Sequence, residues 1–293
     1  MEHLSLMEVL TAPPKVDRDL SRHGIFTRVI DGVKIHAVTC GWIKYRNAHF
    51  HSILGPYLVI LDPTWMDWIP VFSWVIEHPE GIIVVDTGQS TYLSTDTLNK
   101  GGMNGWLNKQ LARMDIDLNT DIKAQLGRLN ICPDDVRWVV LTHLHVDHAG
   151  GLRYFPKSEV LVSHQEYVRP YAFVDGTYPS WFKPHLIGHY DDIGGVFEQG
   201  HVLTRAGDVV VVPTPGHSMH HQSVIFRNTE LDFFFAGDAS FNFSHVQSGF
   251  VPGINLDRQL AKQTLDQIKG YCIERPTAYL PSHDQAAVNR FFR

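Results

Sequence analysis

Apolar residues fall in short runs, each ending at a small, acidic or turn-forming residue, and this arrangement recurs along most of the chain. In residues 25–45 the β-branched side chains and the Asp31-Gly32 pair predict two strands joined by a tight turn. Residues 71–77 and 82–86, separated by His78-Pro79-Glu80-Gly81, read as a second hairpin that runs out into Asp86-Thr87-Gly88. Leu118, Ile122, Leu126 and Leu129 recur at helical spacing, with Asn119 or Thr120 as N-cap and Pro133 as the stop. Residues 136–142 form a continuous apolar run of buried-strand type that delivers the chain to His143. Further strands are predicted at 159–163, 208–213, 223–227, 231–237 and 277–281, with helices at 164–172 and 256–269. Strands occur both in hairpins and alternating with helices, which predicts a mixed α/β architecture with helices covering the sheets. Pro13-Pro14 and the charged run after them predict an irregular N-terminal extension over residues 1–24, followed by one domain over 25–293.

Composition narrows the class. With 44% hydrophobic and 19% charged residues among 293, the chain is ordinarily globular. A net charge of −6 offers no basic surface to neutralise a phosphate backbone, so nucleic acid is not an expected partner. The most apolar stretch, residues 57–76, is interrupted by Asp62, Pro63, Asp67 and Pro70, short of the run of about 20 residues that a membrane helix needs. Glu2 and Glu8 stand where a signal peptide would be basic, and the expectation is a soluble cytoplasmic protein. Cys40, Cys132 and Cys272 are widely spaced and form no CxxC. The 18 histidines, by contrast, outnumber both the 10 tyrosines and the 6 methionines, and several lie beside acidic residues.

The densest group is Thr142-His143-Leu144-His145-Val146-Asp147-His148-Ala149-Gly150-Gly151. His143 and His145 point the same way if the chain stays extended, whereas Asp147 and His148 need a turn to reach a neighbouring position. Four metal-competent side chains so close together are enough for two metals. His217, Asp238 and His283 each follow an apolar strand and a small or turn-forming residue. All are nitrogen and oxygen donors, a set that suits zinc while leaving manganese, iron and cobalt open.

These residues resemble the metal-binding pattern of the metallo-β-lactamase superfamily. Within it the chain looks most like the N-acyl-homoserine lactonases, on Val85-Asp86-Thr87-Gly88, the segment 143–151, Thr214-Pro215-Gly216-His217-Ser218 with His221-Gln222-Ser223, and Asp238-Ala239-Ser240. The resemblance implies an αββα sandwich of two mixed sheets flanked by helices. It implies two divalent ions, zinc by preference: one on His143, His145 and His217, the other on Asp147, His148 and His283, with Asp238 bridging. Histidine at 145 separates the chain from the flavodiiron branch, and aspartate at 238 from the thiolate-containing β-lactamases. The chemistry implied is opening of an acyl lactone, a small-molecule substrate, by a hydroxide held between the ions. Asp147 and Asp238 are then the catalytic carboxylates, Asp147 carrying the proton; Asp86 and His221 are candidates to orient ligands.

Two departures stand out. Homoserine lactonases usually carry a tyrosine three residues after the bridging aspartate, where this chain has Phe241, whose ring cannot donate a hydrogen bond. Either the metals alone bear the oxyanion, or another donor such as Tyr190 or Tyr57 enters, or the substrate differs. Met219-His220 also stands where the family has Pro-Gly. The aromatic run Trp65, Trp68, Phe72 and Trp74 reads first as core or subunit interface, which leaves room for a homodimer, and second as an acyl-chain pocket with Phe241. Residues 174–200 are a candidate pocket wall. Phosphotriester hydrolysis is the main alternative, other lactone, ester and thioester hydrolases share the ligand set, and a non-catalytic metal-binding module is the competitor from a different class.

Overall fold

Hairpin chemistry starts the first sheet. β1 (Ile25–Ile30) and β2 (Val33–Tyr45) pair antiparallel across Asp31-Gly32, both of which take the positive φ such a turn requires. The computed structural model describes residues 23–51, 56–92, 102–171, 174, 177–188 and 190–292. The expected extension over residues 1–24 therefore lies, apart from His23 and Gly24, outside the described residues.

The second predicted hairpin is also present, as β3 (Ile69–His78) and β4 (Gly81–Val85). Parallel to β4 and in line with it run β6 (Val136–Val140), β7 (Glu159–Ser163) and β8 (His185–Ile187), while β5 (Ala112–Asp115) pairs with the far end of β2. The second sheet holds β9 (Asp191–Asp192), β10 (Gln199–Val202), β11 (Val209–Pro213), β12 (Gln222–Phe226), β13 (Asp232–Gly237) and β14 (Thr277–Pro281). Its order is β14-β13-β12-β11-β10-β9, antiparallel except for the parallel pair β13–β14.

The sheets stack through one buried apolar layer. Ile35, Trp74, Ile83, Val140 and Leu161 from the first meet Val209, Val211, Val224, Phe235 and Leu280 from the second. On the outer face of the first sheet, α3 (Ile122–Arg128) lays Ile122 and Leu126 against Val38, Val84 and Val139. On the outer face of the second, α7 (Arg258–Glu274) buries Ala261, Leu265, Ile268 and Tyr271 against Val210, Ile225 and Phe234. Helices thus cover both sheets in the expected αββα arrangement. Further helices include α1 (Ala48–His51), α2 (Gly102–Leu111), α4 (Val146–Ala149), α5 (His164–Val168) and α6 (Phe243–Ser248).

Several helix boundaries differ from expectation, among them that of α7, which runs on to Glu274 rather than ending at 269. The N-cap of α3 is Asp121, and Leu118 stays outside it, 75% exposed. The Asp117 side chain accepts the Asn119 and Thr120 backbone N–H groups, closing a local turn that competes with the helix. α5 ends at Val168, just ahead of Pro170, which disfavours helical backbone in the residue before it.

One irregularity in β2 matters for the site. Thr39 pairs with Phe72 but Trp42 with Pro70, so β2 carries one extra residue and bends there. Gly41 makes the bulge, at φ 108°, where a β-carbon would fall 2.6 Å from Gln89 Oε1. Beyond it, Ile43 and Tyr45 leave the inter-sheet layer and pack with Phe50, Val71, Phe241 and Ile254.

Candidate metal centre

Strand direction gathers the chemistry at one edge. β4, β6, β11, β13 and β14 all run out toward the same side of the sandwich, where they release Asp86, His143, His217, Asp238 and His283. The loop after β6 supplies His143 and His145, then turns into α4, which carries Asp147 and His148. The structure therefore brings all seven proposed ligands together. Three overlapping groups form: His143, His145 and His217; His143, His148 and Asp238; Asp147, His148 and His283, with the ligand atoms in each within 4.8 Å of one another.

Hydrogen bonds decide which ring nitrogen faces inward. His148 Nδ1 donates to Asp86 Oδ2 at 2.8 Å, and His283 Nδ1 donates to the Pro70 carbonyl at 3.0 Å, so both present Nε2 to the centre. Asp86 also accepts the Thr142 backbone N–H and hydroxyl, each at 2.8 Å; since that hydroxyl is committed, His143 Nδ1 donates to Thr142 Oγ1 at 3.0 Å. His145 Nδ1 then lies 2.9 Å from His143 Nε2 and 3.0 Å from His217 Nε2. Nitrogens on a tetrahedral zinc ion at 2.0–2.1 Å would be roughly 3.3 Å apart.

His221 acts on backbone. Its Nε2 accepts the Asp238 N–H at 3.1 Å and its Nδ1 donates to Thr214 Oγ1 at 2.8 Å, the start of a chain through Ser223 to the Ala236 carbonyl. Burial lowers its pKa to about 3, which keeps the ring neutral for this role. The turn needs Gly237 at φ 54°, because a β-carbon there would meet Thr142 Oγ1 at 2.7 Å and His221 Nε2 at 2.8 Å.

The electrostatics fit a cation. Burial, then the neighbouring imidazoles, push His143 well below its ordinary pKa, and burial does the same to His217, so both are neutral donors. His283 behaves oppositely: burial would lower it, but Asp238 and Asp147 outweigh that and hold it up at about 9. Burial would raise Asp238, yet His283 and His148 hold it well below the carboxylate range. Two carboxylates thus draw positive charge into a closed site, and His148 Nε2 and Asp238 Oδ1 are buried 3.3 Å apart without an aligned hydrogen bond. A bound ion would satisfy both atoms and supply that charge.

A cavity of about 420 Å³ opens onto these groups. Its walls include Ile43, Ile60, Leu107, Leu111, Met114 and Ile254, and its floor His145, Asp147, His217 and Asp238. Of the aromatic residues expected there, Phe241 does line it. Phe72 and Trp74 do not: they are buried between the sheets, as the first, core reading of the run has it, because their positions on β3 face the second sheet. Trp65 and Trp68 are likewise not part of the wall. Arg46 and Arg113 stand 4.0 and 4.4 Å from the Trp65 ring centre, and Lys44 lies 5.1 Å from that of Trp68, so cations hold them at the surface of the β2–β5 end. Tyr178 and Phe182 pack instead beside the outer core of the first sheet, so they are not the expected wall; His189 lies outside the described residues.

Three residues with no sequence motif complete the site. Tyr45 lines the cavity and donates its hydroxyl to Asp147 Oδ2 at 2.8 Å, with His283 Nε2 at 3.4 Å. His49, also in the wall, stacks on Tyr45 at 4.8 Å and is kept neutral by burial, its pKa lowered to about 3. Glu166, buried on α5, accepts the Leu144 N–H and the Ser218 hydroxyl and so ties the 143–148 loop to the His217 turn. Of the suggested replacements for the hydroxyl at 241, Tyr190 does not reach the site, since it donates to Gln222 Oε1 beside the inter-sheet core, and the Tyr57 side chain lies outside what is described. Among the described residues no cysteine joins the ligand groups. Alanine at exposed Cys132 or half-buried Cys272 is expected to leave bound metal unchanged by elemental analysis.

Comparison with known proteins agrees with this geometry. A family model described as Metallo-beta-lactamase superfamily matches residues 66–275. The N-acyl homoserine lactonase AttM of Rhizobium radiobacter is 27% identical over 235 residues, covering 76% of this chain and 85% of that protein. A solved N-acyl homoserine lactone hydrolase, with the product N-hexanoyl-L-homoserine at its catalytic metal centre, superposes with a TM-score of 0.70. It is 22% identical, over 86% of this chain and 93% of that one. AidC, a dizinc quorum-quenching lactonase, gives 0.61 at 14% identity, over 89% and 90% of the two chains.

Proposed function

The chain belongs to the metallo-β-lactamase superfamily, and from that membership we propose that it is a two-metal hydrolase opening the lactone ring of N-acyl-homoserine lactones. The observation that carries this reading is the cavity. Walls that are largely hydrocarbon, with Asn104 and Asn108 among them, end at carboxylates and imidazoles, and among the described residues no Lys or Arg lines it. Such a site takes a neutral head group with an alkyl tail, each buried methylene contributing about 0.8 kcal/mol. Away from the ion positions, a substrate's own carboxylate would find no basic side chain in the wall to pair with. The kinship with AttM and the lactone product in the related hydrolase point the same way.

In this reading His143, His145 and His217 would hold one ion, and Asp147, His148 and His283 the other. Asp238 faces both, with Oδ1 3.4 Å from His283 Nε2 and Oδ2 3.5 Å from His217 Nε2. When bound, two divalent ions, zinc by the donor set, would supply hydroxide at neutral pH and polarise the ester carbonyl. Asp147, on the cavity floor, takes the proton released by the attacking water and returns it to the alkoxide as the ring C–O bond breaks. Asp86 and His221 keep the ligands aimed, and Ile43, Leu107 and Leu111 exclude water from the tail.

Zinc-supplied protein should be assayed with a pH indicator against N-acyl-homoserine lactones, simple γ- and δ-lactones, aryl phosphotriesters and thioesters. The acyl lactones are expected to give the highest kcat/KM. Faster turnover of the phosphotriester, with negligible lactone opening, would replace this reading by the phosphotriesterase one.

A further inference from the structure

Phe241 and Tyr45 face each other at the cavity floor. Their ring centres are 6.1 Å apart, and both flank His283, at 5.9 and 5.7 Å. Only one carries a hydroxyl. Oxygens on which negative charge develops need hydrogen-bond donors already in place, yet the carboxylates beside them can only accept while ionised. Tyr45 contributes an O–H hydrogen-bonded within the ligand cluster, although a phenol is not one of the ligand groups.

The hydroxyl is held with little freedom. Tyr45 is the last residue of β2, pairs with Ala112 of β5, stacks on His49 and packs on Phe50, and it is 9% exposed. The extra residue at Gly41 lies in the same strand just upstream. Such fixing by backbone pairing and ring packing is what a preorganised donor requires.

We propose that Tyr45 is a catalytic residue whose hydroxyl, turning from Asp147 Oδ2 once that carboxylate has taken the proton, donates a hydrogen bond to the substrate oxygen that becomes the leaving alkoxide, on the Asp147–His283 side of the centre. The inference rests on the hydrolytic reading of the site. It assigns to β2 a donor that position 241 does not provide.

The test compares wild type, Tyr45→Phe, Phe241→Tyr and the double variant on whichever substrate of the panel the wild type turns over fastest. Tyr45→Phe is expected to lower kcat by about 100-fold, the scale of losing one preorganised donor, with little change in KM. Zinc content, melting temperature and affinity for an unreactive N-acyl γ-lactam by calorimetry should stay at wild-type values. Adding Phe241→Tyr to Tyr45→Phe should recover about tenfold or more of the lost kcat, because a hydroxyl returns from the facing ring. A packing role would instead lower the melting temperature or the zinc content and give no recovery in the double variant. That result, or wild-type kcat in Tyr45→Phe, overturns the proposal. A wild type active only on phosphotriesters would overturn the lactone reading and still leave Tyr45 judged by the same kcat ratio. A wild type inert on the whole panel overturns both.

Discussion

Alanine at Asp238 is expected to abolish hydrolysis and to leave the protein unable to retain both ions. Oδ1 sits 3.3 Å from His148 Nε2 and 3.4 Å from His283 Nε2, while Oδ2 sits 3.5 Å from His217 Nε2. No other carboxylate among the described residues reaches both groups of histidines. Removing it takes one of two negative charges from a buried site that must hold doubly charged cations, and it unlinks the two halves. The fold should survive, since the His221 bond to residue 238 is made by backbone N–H. Elemental analysis and kcat of the folded variant check this. A variant with full metal content and more than about a tenth of wild-type kcat/KM would remove the bridging role.

Asp86→Ala is expected to be the most destabilising single change at the site. The carboxylate is buried and accepts three hydrogen bonds at 2.8 Å, from the Thr142 N–H, the Thr142 hydroxyl and His148 Nδ1. Each donor left unpaired costs about 1–3 kcal/mol, and because the losses overlap a total of about 3–5 kcal/mol is expected. The backbone adds to it: Asp86 sits at φ 58°, which aspartate and asparagine tolerate better than alanine. Metal affinity should also fall by about 10–100-fold, the usual cost of removing the partner of a ligating histidine. Asp86→Asn keeps the backbone preference and one acceptor oxygen, so it should lie between wild type and alanine. Denaturant unfolding and metal titration separate the two costs; an alanine variant within about 1 kcal/mol of wild type would show that the site relaxes around the loss.

The candidate ligand positions were legible because each is a local feature. An apolar run that ends in a small residue and then a histidine or aspartate describes His217, Asp238 and His283 one segment at a time, and the 143–148 cluster is contiguous. Strand hydrophobicity carries the same information: Val209–Pro213 and Asp232–Gly237 are buried nearly throughout, as β-branched and aromatic runs predict. Asp86 was readable for a similar reason, since it follows a strand directly. The helix around Ile122 was readable in kind but not in its start, because the Asp117 turn depends on side-chain hydrogen bonds that periodicity does not report.

The substrate cavity was not legible, and its composition explains why. Tyr45 reaches the site only because β2 gains a residue at Gly41 and bends, a change that no pattern in residues 33–45 announces. Leu107 and Leu111 come from α2, Ile254 from the loop before α7, and Pro170 from the end of α5. Trp74 and Phe72, the more conspicuous aromatics, went to the inter-sheet layer because the second sheet packs on their side of β3. The sequence by itself therefore determined the longer strands, the two covering helices and the candidate ligand positions, all of which depend on residues within one segment and on the period of one element, whereas the short strands β5, β8, β9 and β10 and the helix α2 escaped it. Which side chains wall the cavity, and that a hydroxyl stands at Tyr45 opposite Phe241, were decided by tertiary structure, because they depend on how two sheets and several loops pack against one another across the fold.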